Sequence, residues 1–136
     1  MPASAALKSH GSDTMTEGVR VQVQPNYLSA QSDPRQRKFL FAYKIVISNE
    51  SDHRLTLKNR HWIIVDAGGE RHEVKGPGVV GQFPTLAPGE KFDYSSFCPL
   101  NTPWGTMEGI YDIERDDGTV ISATVGRFYL VSGLAE

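Results

Sequence analysis

Gly76-Pro77-Gly78-Val79-Val80-Gly81 has the spacing of a GxGxxG phosphate loop, and the residues just after it decide the fold. Such a loop holds a dinucleotide when it leaves a strand and opens a helix, because helical N–H groups then meet the pyrophosphate. In this chain Pro84 and Leu86-Ala87-Pro88-Gly89 come within a few residues, and a helix cannot grow through prolines so placed. The stretch therefore reads as a rigid turn in a β protein.

The flanks agree. Upstream, Leu55 to Asp66 reads as a long strand whose polar middle, Lys58-Asn59-Arg60, predicts a bulge or a switch of sheets. Ala67-Gly68-Gly69-Glu70 signals a hairpin, since paired glycines supply positive φ angles. With Gly68 and Gly69 as a two-residue loop, Asp66 faces Arg71, Val65 faces His72, Trp62 faces Lys75 and His61 faces Gly76. That register predicts Ile63, Val65, His72 and Val74 on one face. It leaves Trp62 exposed on a charged face beside Lys75.

Farther out, Val19, Val21 and Val23 alternate with polar residues as a half-buried strand ended by Pro25. Lys38 to Ile47 reads as a central strand covered on both faces. Lys91 to Phe97 alternates as another, and Pro99 to Pro103 reads as a loop. Thr106 to Arg115 and Thr119 to Val125 are joined by Asp116-Asp117-Gly118, a hairpin signal. Gly126 predicts a bulge before Phe128 to Val131. No helical periodicity appears. About seven or more short antiparallel strands with regular turns imply an all-β sandwich.

The 136 residues suit one domain able to bury a core. Met1 to about Thr16 is polar and small-residue-rich and is expected to be a flexible tail (1–16), with the domain spanning 17–136. A net charge of −2 supplies no broad basic surface for nucleic acid. The single Cys98 excludes an intramolecular disulfide, and the absence of a signal segment or an apolar run of membrane-spanning length points to the cytoplasm, without membrane insertion.

His61-Trp62, His72-Glu73-Val74, the Gly76–Gly81 loop, Pro84, Leu86-Ala87-Pro88-Gly89, Tyr94-Ser95-Ser96 and Gly105-Thr106-Met107-Glu108-Gly109 with Tyr111 closely resemble the ApaG family, in order and spacing, over about Gly18 to Val131. The resemblance implies a fibronectin type III-like, immunoglobulin-like sandwich in a small bacterial cytoplasmic protein. In that family the gene tends to neighbour those of a diadenosine tetraphosphate hydrolase and an rRNA dimethyladenosine methyltransferase. Related domains in F-box proteins and a polymerase-interacting protein look like protein-binding modules. The family's cobalt and magnesium efflux label implies at most an indirect effect on ion homeostasis, and it offers no catalytic residues.

Read for chemistry, the glycine loop has two meanings. Its amides could form an anion-binding concavity with Lys75, Arg71 and His61 nearby, or the glycines serve only a tight connection. His53, His61 and His72 lack any HxH or HExxH spacing, and no metal site or cofactor is expected. Cys98 has no adjacent histidine or helix N-terminus to activate it, and reads as a small core hydrophobe. Asp112, Glu114, Asp116 and Asp117 suit a solvated turn.

The expectation is a non-enzymatic binding module whose site comprises Gly76, Pro77, Gly78, Val79, Val80, Gly81 and Phe83 with Arg60, His61, Trp62 and Lys75. Its expected partner is another protein. A nucleotide or polyphosphate such as diadenosine tetraphosphate is the alternative ligand, and exposed edge strands leave homodimer pairing open.

Overall fold

The computed structural model describes residues 10–133. Nine strands occur in the order β1 Ser12–Thr16, β2 Val19–Tyr27, β3 Phe39–Asn49, β4 Leu55–Asp66, β5 Arg71–Pro77, β6 Thr85–Leu86, β7 Lys91–Leu100, β8 Trp104–Arg115 and β9 Val120–Val131. They form two antiparallel sheets, β1-β2-β3-β7 and β5-β4-β8-β9, with β6 paired to β4. The expected all-β sandwich is what the chain forms. No helix among the described residues is long and apolar enough to cross a membrane.

Alternation builds the core. Val19, Val21 and Val23 of β2, Phe41, Ile45 and Ile47 of β3, Tyr111 and Ile113 of β8, and Ile121 and Phe128 of β9 all point between the sheets. In β3 the opposite face, Leu40, Ala42 and Val46, is half-buried rather than covered, because this sheet carries no second layer. Both expected bulges occur. Lys58 is the extra residue of β4 between Leu57 and Asn59, and Gly126-Arg127 lie opposite the single Glu108.

Some strand ends differ from expectation: β2 runs through Pro25 to Tyr27, and β7 takes in Pro99 and Leu100, which had read as loop. Two larger expectations need correction. The first is the β4–β5 register. Asp66 N donates to Glu70 O at 3.0 Å, and Gly69 N donates to Asp66 O at 3.0 Å. The loop is therefore Ala67-Gly68-Gly69, with Gly69 at φ 85°, a three-residue hairpin closed by a glycine bulge. Val65 pairs with Arg71, Ile64 with His72, Trp62 with Val74 and His61 with Lys75. One residue of slip exchanges the faces of every β4 side chain relative to β5. Trp62 thus turns inward and is only 4% exposed, not the surface aromatic anticipated beside Lys75. His72, anticipated on a face with Ile63, Val65 and Val74, is exposed.

The second concerns the amino terminus. Ser12–Thr16, read as part of a flexible tail, forms β1, which pairs with β2 across a Glu17-Gly18 turn. Its hydroxyls also reach the other sheet: Thr14 Oγ1 donates to Thr124 O at 2.6 Å, and Thr124 N donates to Thr16 Oγ1 at 3.2 Å. Short polar side chains that look like tail in isolation here stitch an edge. Of the rest of the expected tail, residues 1–9 lie outside the described residues.

β1 and β2 lie against β9 and close one flank of the sandwich. The other flank, between the edge strands β5 and β7, carries the functional candidate.

Candidate functional site

The glycine loop leaves β5 and turns at once. Val79 N donates to Gln82 O at 2.9 Å and Gln82 N to Val79 O at 2.8 Å, so Val80 and Gly81 form a two-residue turn with φ of 44° and 78°. Gly78 N donates to Lys58 O at 2.8 Å, which ties the loop to the β4 bulge. The stretch is the rigid turn its prolines predicted. The amides of Gly78 and Val79, and of Gln82 just after the stretch, are committed to backbone carbonyls.

Gly76 has a different task. It stands opposite Arg60, and a Cβ there would lie 2.9 Å from Arg60 Nη2 and 3.0 Å from Cζ. The glycine makes room for the guanidinium, which donates through Nη1 to Pro77 O at 2.9 Å and to Gly78 O at 3.0 Å. Arg60 has no carboxylate partner among the described residues. The loop therefore presents a half-buried cation that nothing in the described chain neutralises.

Arg60 stands at the end of a cleft of about 580 Å³ that opens between β5 and β7, within the size range of ligand sites. Trp62, Tyr43, Tyr94, Cys98 and Met107 form its buried floor. Its rim is apolar and exposed: Val74 at 41%, Val80 at 49% and Phe97 at 60%. Asp66 and His72 mark the hairpin end.

Below the floor, the hydroxyls of Tyr94 and Tyr111 hydrogen-bond to each other. Burial raises the phenols of Tyr43, Tyr94 and Tyr111 above their ordinary range, so they stay neutral and serve as rigid walls.

Val80 is a strained residue. A β-branched side chain in the left-handed region costs about 1–2 kcal/mol, and core burial does not offset it, since the residue stays about half exposed, at 49%, on the cleft's rim. Strain of this sort collects at binding sites.

Of the residues expected from sequence, Arg60, Trp62, Val79 and Val80 line the cleft. Trp62 does so as a buried wall. His61, Lys75, Gly76 and Pro77 line a smaller hollow on the far side of the loop, to which Arg60 also contributes. His61 is engaged there, its Nε2 2.8 Å from Glu73 Oε1, a contact that holds the Glu73 carboxyl below its ordinary range, helped by Arg71. Gly81 and Phe83 lie outside both, exposed on the turn.

The β7 residues were missed by sequence reasoning. The one available signal was Phe97, an aromatic on the outward beat of an alternating strand, two residues before a proline.

Asp66, Glu70 and His72 lie close enough to share an ion. Asp66 Oδ1 already accepts the amides of Gly68 at 2.9 Å and Glu70 at 3.0 Å, closing the hairpin turn. Of the acidic residues expected at a solvated turn, Asp112 and Glu114 instead lie half-buried within β8, while Asp116 meets His53 Nδ1 at 3.0 Å and Asp117 accepts from Thr119 Oγ1 at 2.6 Å.

Cys98 is buried, and its thiol is pushed up from an ordinary 9.0 to about 11. Iodoacetamide at pH 8 is expected to label Cys98 in urea and to spare it in the native protein over the same interval. Equal rates would show that the cleft floor opens. A thiol with a raised folded pKa favours the fold while protonated. That contribution is complete below pH 9 and is lost as pH rises towards 11.

Known proteins match most of this chain. The ApaG domain family model matches residues 29–115. Protein ApaG of Anaeromyxobacter dehalogenans strain 2CP-C is 49% identical over 120 residues, covering 88% of this chain and 94% of that protein. Protein ApaG of Agrobacterium fabrum is 47% identical over 118 residues, 87% and 91% of the two chains. The crystal structure of an ApaA protein from Bordetella pertussis superposes with a TM-score of 0.83 at 44% identity, covering 86% of this chain and 95% of that one.

Proposed function

The chain belongs to the ApaG domain family, and from that premise we propose that it is a non-enzymatic binding module whose ligand is another protein. The observation that carries this reading is the open cleft between β5 and β7, with an aromatic floor, an exposed apolar rim and an unneutralised Arg60 at one end. Rigid sandwich edges suit recognition because the scaffold fixes the contact residues beforehand. The Gly76–Gly81 loop acts through its shape: it seats Arg60 and holds Val80 at the rim.

Catalysis is disfavoured by the same geometry. The raised thiol of Cys98 hydrogen-bonds to the Pro99 carbonyl rather than to a base among the described residues, and the cleft tyrosines are held neutral. The cytoplasm is the natural compartment for a lone reduced cysteine. A nucleotide or polyphosphate is the competing ligand. It draws support from Arg60 and Lys75 beside the loop, but it loses the amides of Gly78, Val79 and Gln82, which donate within the fold.

The test is Val80→Asn. Asparagine tolerates the left-handed conformation, so the variant is expected to gain about 1 kcal/mol in a urea titration. It should also retain less of any protein captured by the wild type, because an apolar rim contact is lost. A variant that is stabilised and captures equally well would leave Val80 a structural accident. In parallel, amide shifts on titrating diadenosine tetraphosphate are expected to be flat from Lys75 to Phe83. Saturable shifts confined to that stretch would move the assignment to the nucleotide.

A further inference from the structure

The geometry points to one kind of occupant, and we propose that the cleft takes an extended peptide segment carrying an acidic residue two positions from a large apolar one, paired along the free edge of β5. The inference rests on the protein-binding reading above and names the segment recognised.

The edge comes first. β5 pairs with β4 alone. Hydrogen bonds join Asp66 to Glu70 at one end of the hairpin and Lys58 to Gly78 at the other, which fixes the alternation in between. His72, Val74 and Gly76 face β4 with their backbone groups. Arg71, Glu73 and Lys75 turn theirs outward. Three consecutive outward positions make a template for an added strand, and Pro77, which has no N–H to offer, ends it.

Charge and spacing select the peptide. A strand added to β5 directs every second side chain inward. Along β4 the inward positions are Arg60, Trp62 and Ile64, again two residues apart. A carboxylate entering opposite Arg60 meets a cation with no counter-ion among the described residues, and a charge-assisted hydrogen bond forms there. The next inward side chain falls beside Trp62 and Val74, with Phe97 across the cleft, where the nearest groups are mainly apolar. The hairpin end repels a second acid through Asp66. One acid at the glycine-loop end and apolar groups after it is the pattern the cleft complements.

A phage library of random heptapeptides, selected on the full-length protein, reads this directly. Enriched sequences are expected to share Asp or Glu two positions from Phe, Tyr, Trp, Leu or Ile. Changing the peptide's Glu to Gln should weaken binding about tenfold or more, and the same change should do nothing on Arg60→Gln. The peptide arm leaves the protein untouched, so it stands even if Arg60→Gln loosens the loop. Methylating the peptide amides that face β5 should abolish binding.

Enrichment without an acidic preference, or Glu-to-Gln losses that persist on Arg60→Gln, would overturn the inference and leave protein binding intact. No enrichment, with a sedimentation mass twice the monomer, would mean that a second copy closes the cleft, and this too would overturn it. Failure of the underlying reading shows differently, as wild-type protein that captures no partner at all.

Discussion

Trp62→Ala is expected to lower the stability of the folded chain by about 3–5 kcal/mol, the cost of emptying a buried aromatic site. The indole is 4% exposed and is held edge-on by three rings. Tyr43 stands at 5.7 Å between centroids, Tyr111 at 6.0 Å and Phe128 at 6.0 Å. Such contacts add to the burial itself. These rings come from both sheets, so the side chain is a tie between the layers as well as filler. Against a typical domain stability of about 5–15 kcal/mol, the loss would leave a marginal fold. Urea midpoints of the wild type and the variant decide it. A loss under about 1 kcal/mol would mean that Trp62 sits as the two-residue hairpin register has it, in water beside Lys75.

Gly78→Val is expected to abolish partner binding and to cost about 2–4 kcal/mol, combining left-handed strain with a steric clash. Gly78 has φ 61°, and a Cβ there would lie 2.3 Å from Gln82 O. To admit it the Val79–Gln82 turn must open. That removes Val80 from the rim and takes from Arg60 the Gly78 carbonyl it grips. Capture by wild-type and variant protein, compared at a urea-verified folded fraction, separates the two losses. Binding that survives in a folded variant would remove the loop from the site.

Much of the fold was legible in the sequence because strands announce themselves locally. Alternation in β2, β3 and β7, the bulges at Lys58 and Gly126 and the turn at Asp116-Asp117-Gly118 all depend on a few neighbours. Register does not. Gly68 and Gly69 fit either a two-residue or a three-residue hairpin, and the choice rests on where Gly69 takes its positive φ. That single residue moved Trp62 from the surface to the core. It also moved His61 to the outer side, where Lys75 was already expected, while Arg60 came into the cleft.

The candidate site was half legible for a related reason. The loop and Arg60 sit close together in sequence terms, joined by one hairpin. Tyr94, Phe97 and Cys98 arrive from the other sheet, and no local pattern foretells which edges will face each other. β1 escaped for the opposite reason: Ser, Asp and Thr have no apolar stripe, and its partners lie at the far end of the chain.

That last pairing bears on how the chain is made. Thr14 meets Thr124, 110 positions later, and Gly126 bulges where Thr14 and Ser12 press against it. At about 5–20 residues per second of synthesis, strand β1 waits roughly 5–20 seconds for the strand that completes its seam. Throughout that interval the growing chain displays an unsealed valine-rich β2, the kind of surface that nascent-chain chaperones hold. The closing of the sandwich is thus a late, all-at-once event, and ribosome-bound fragments that stop short of β9 should remain protease-sensitive however much of the first sheet they contain.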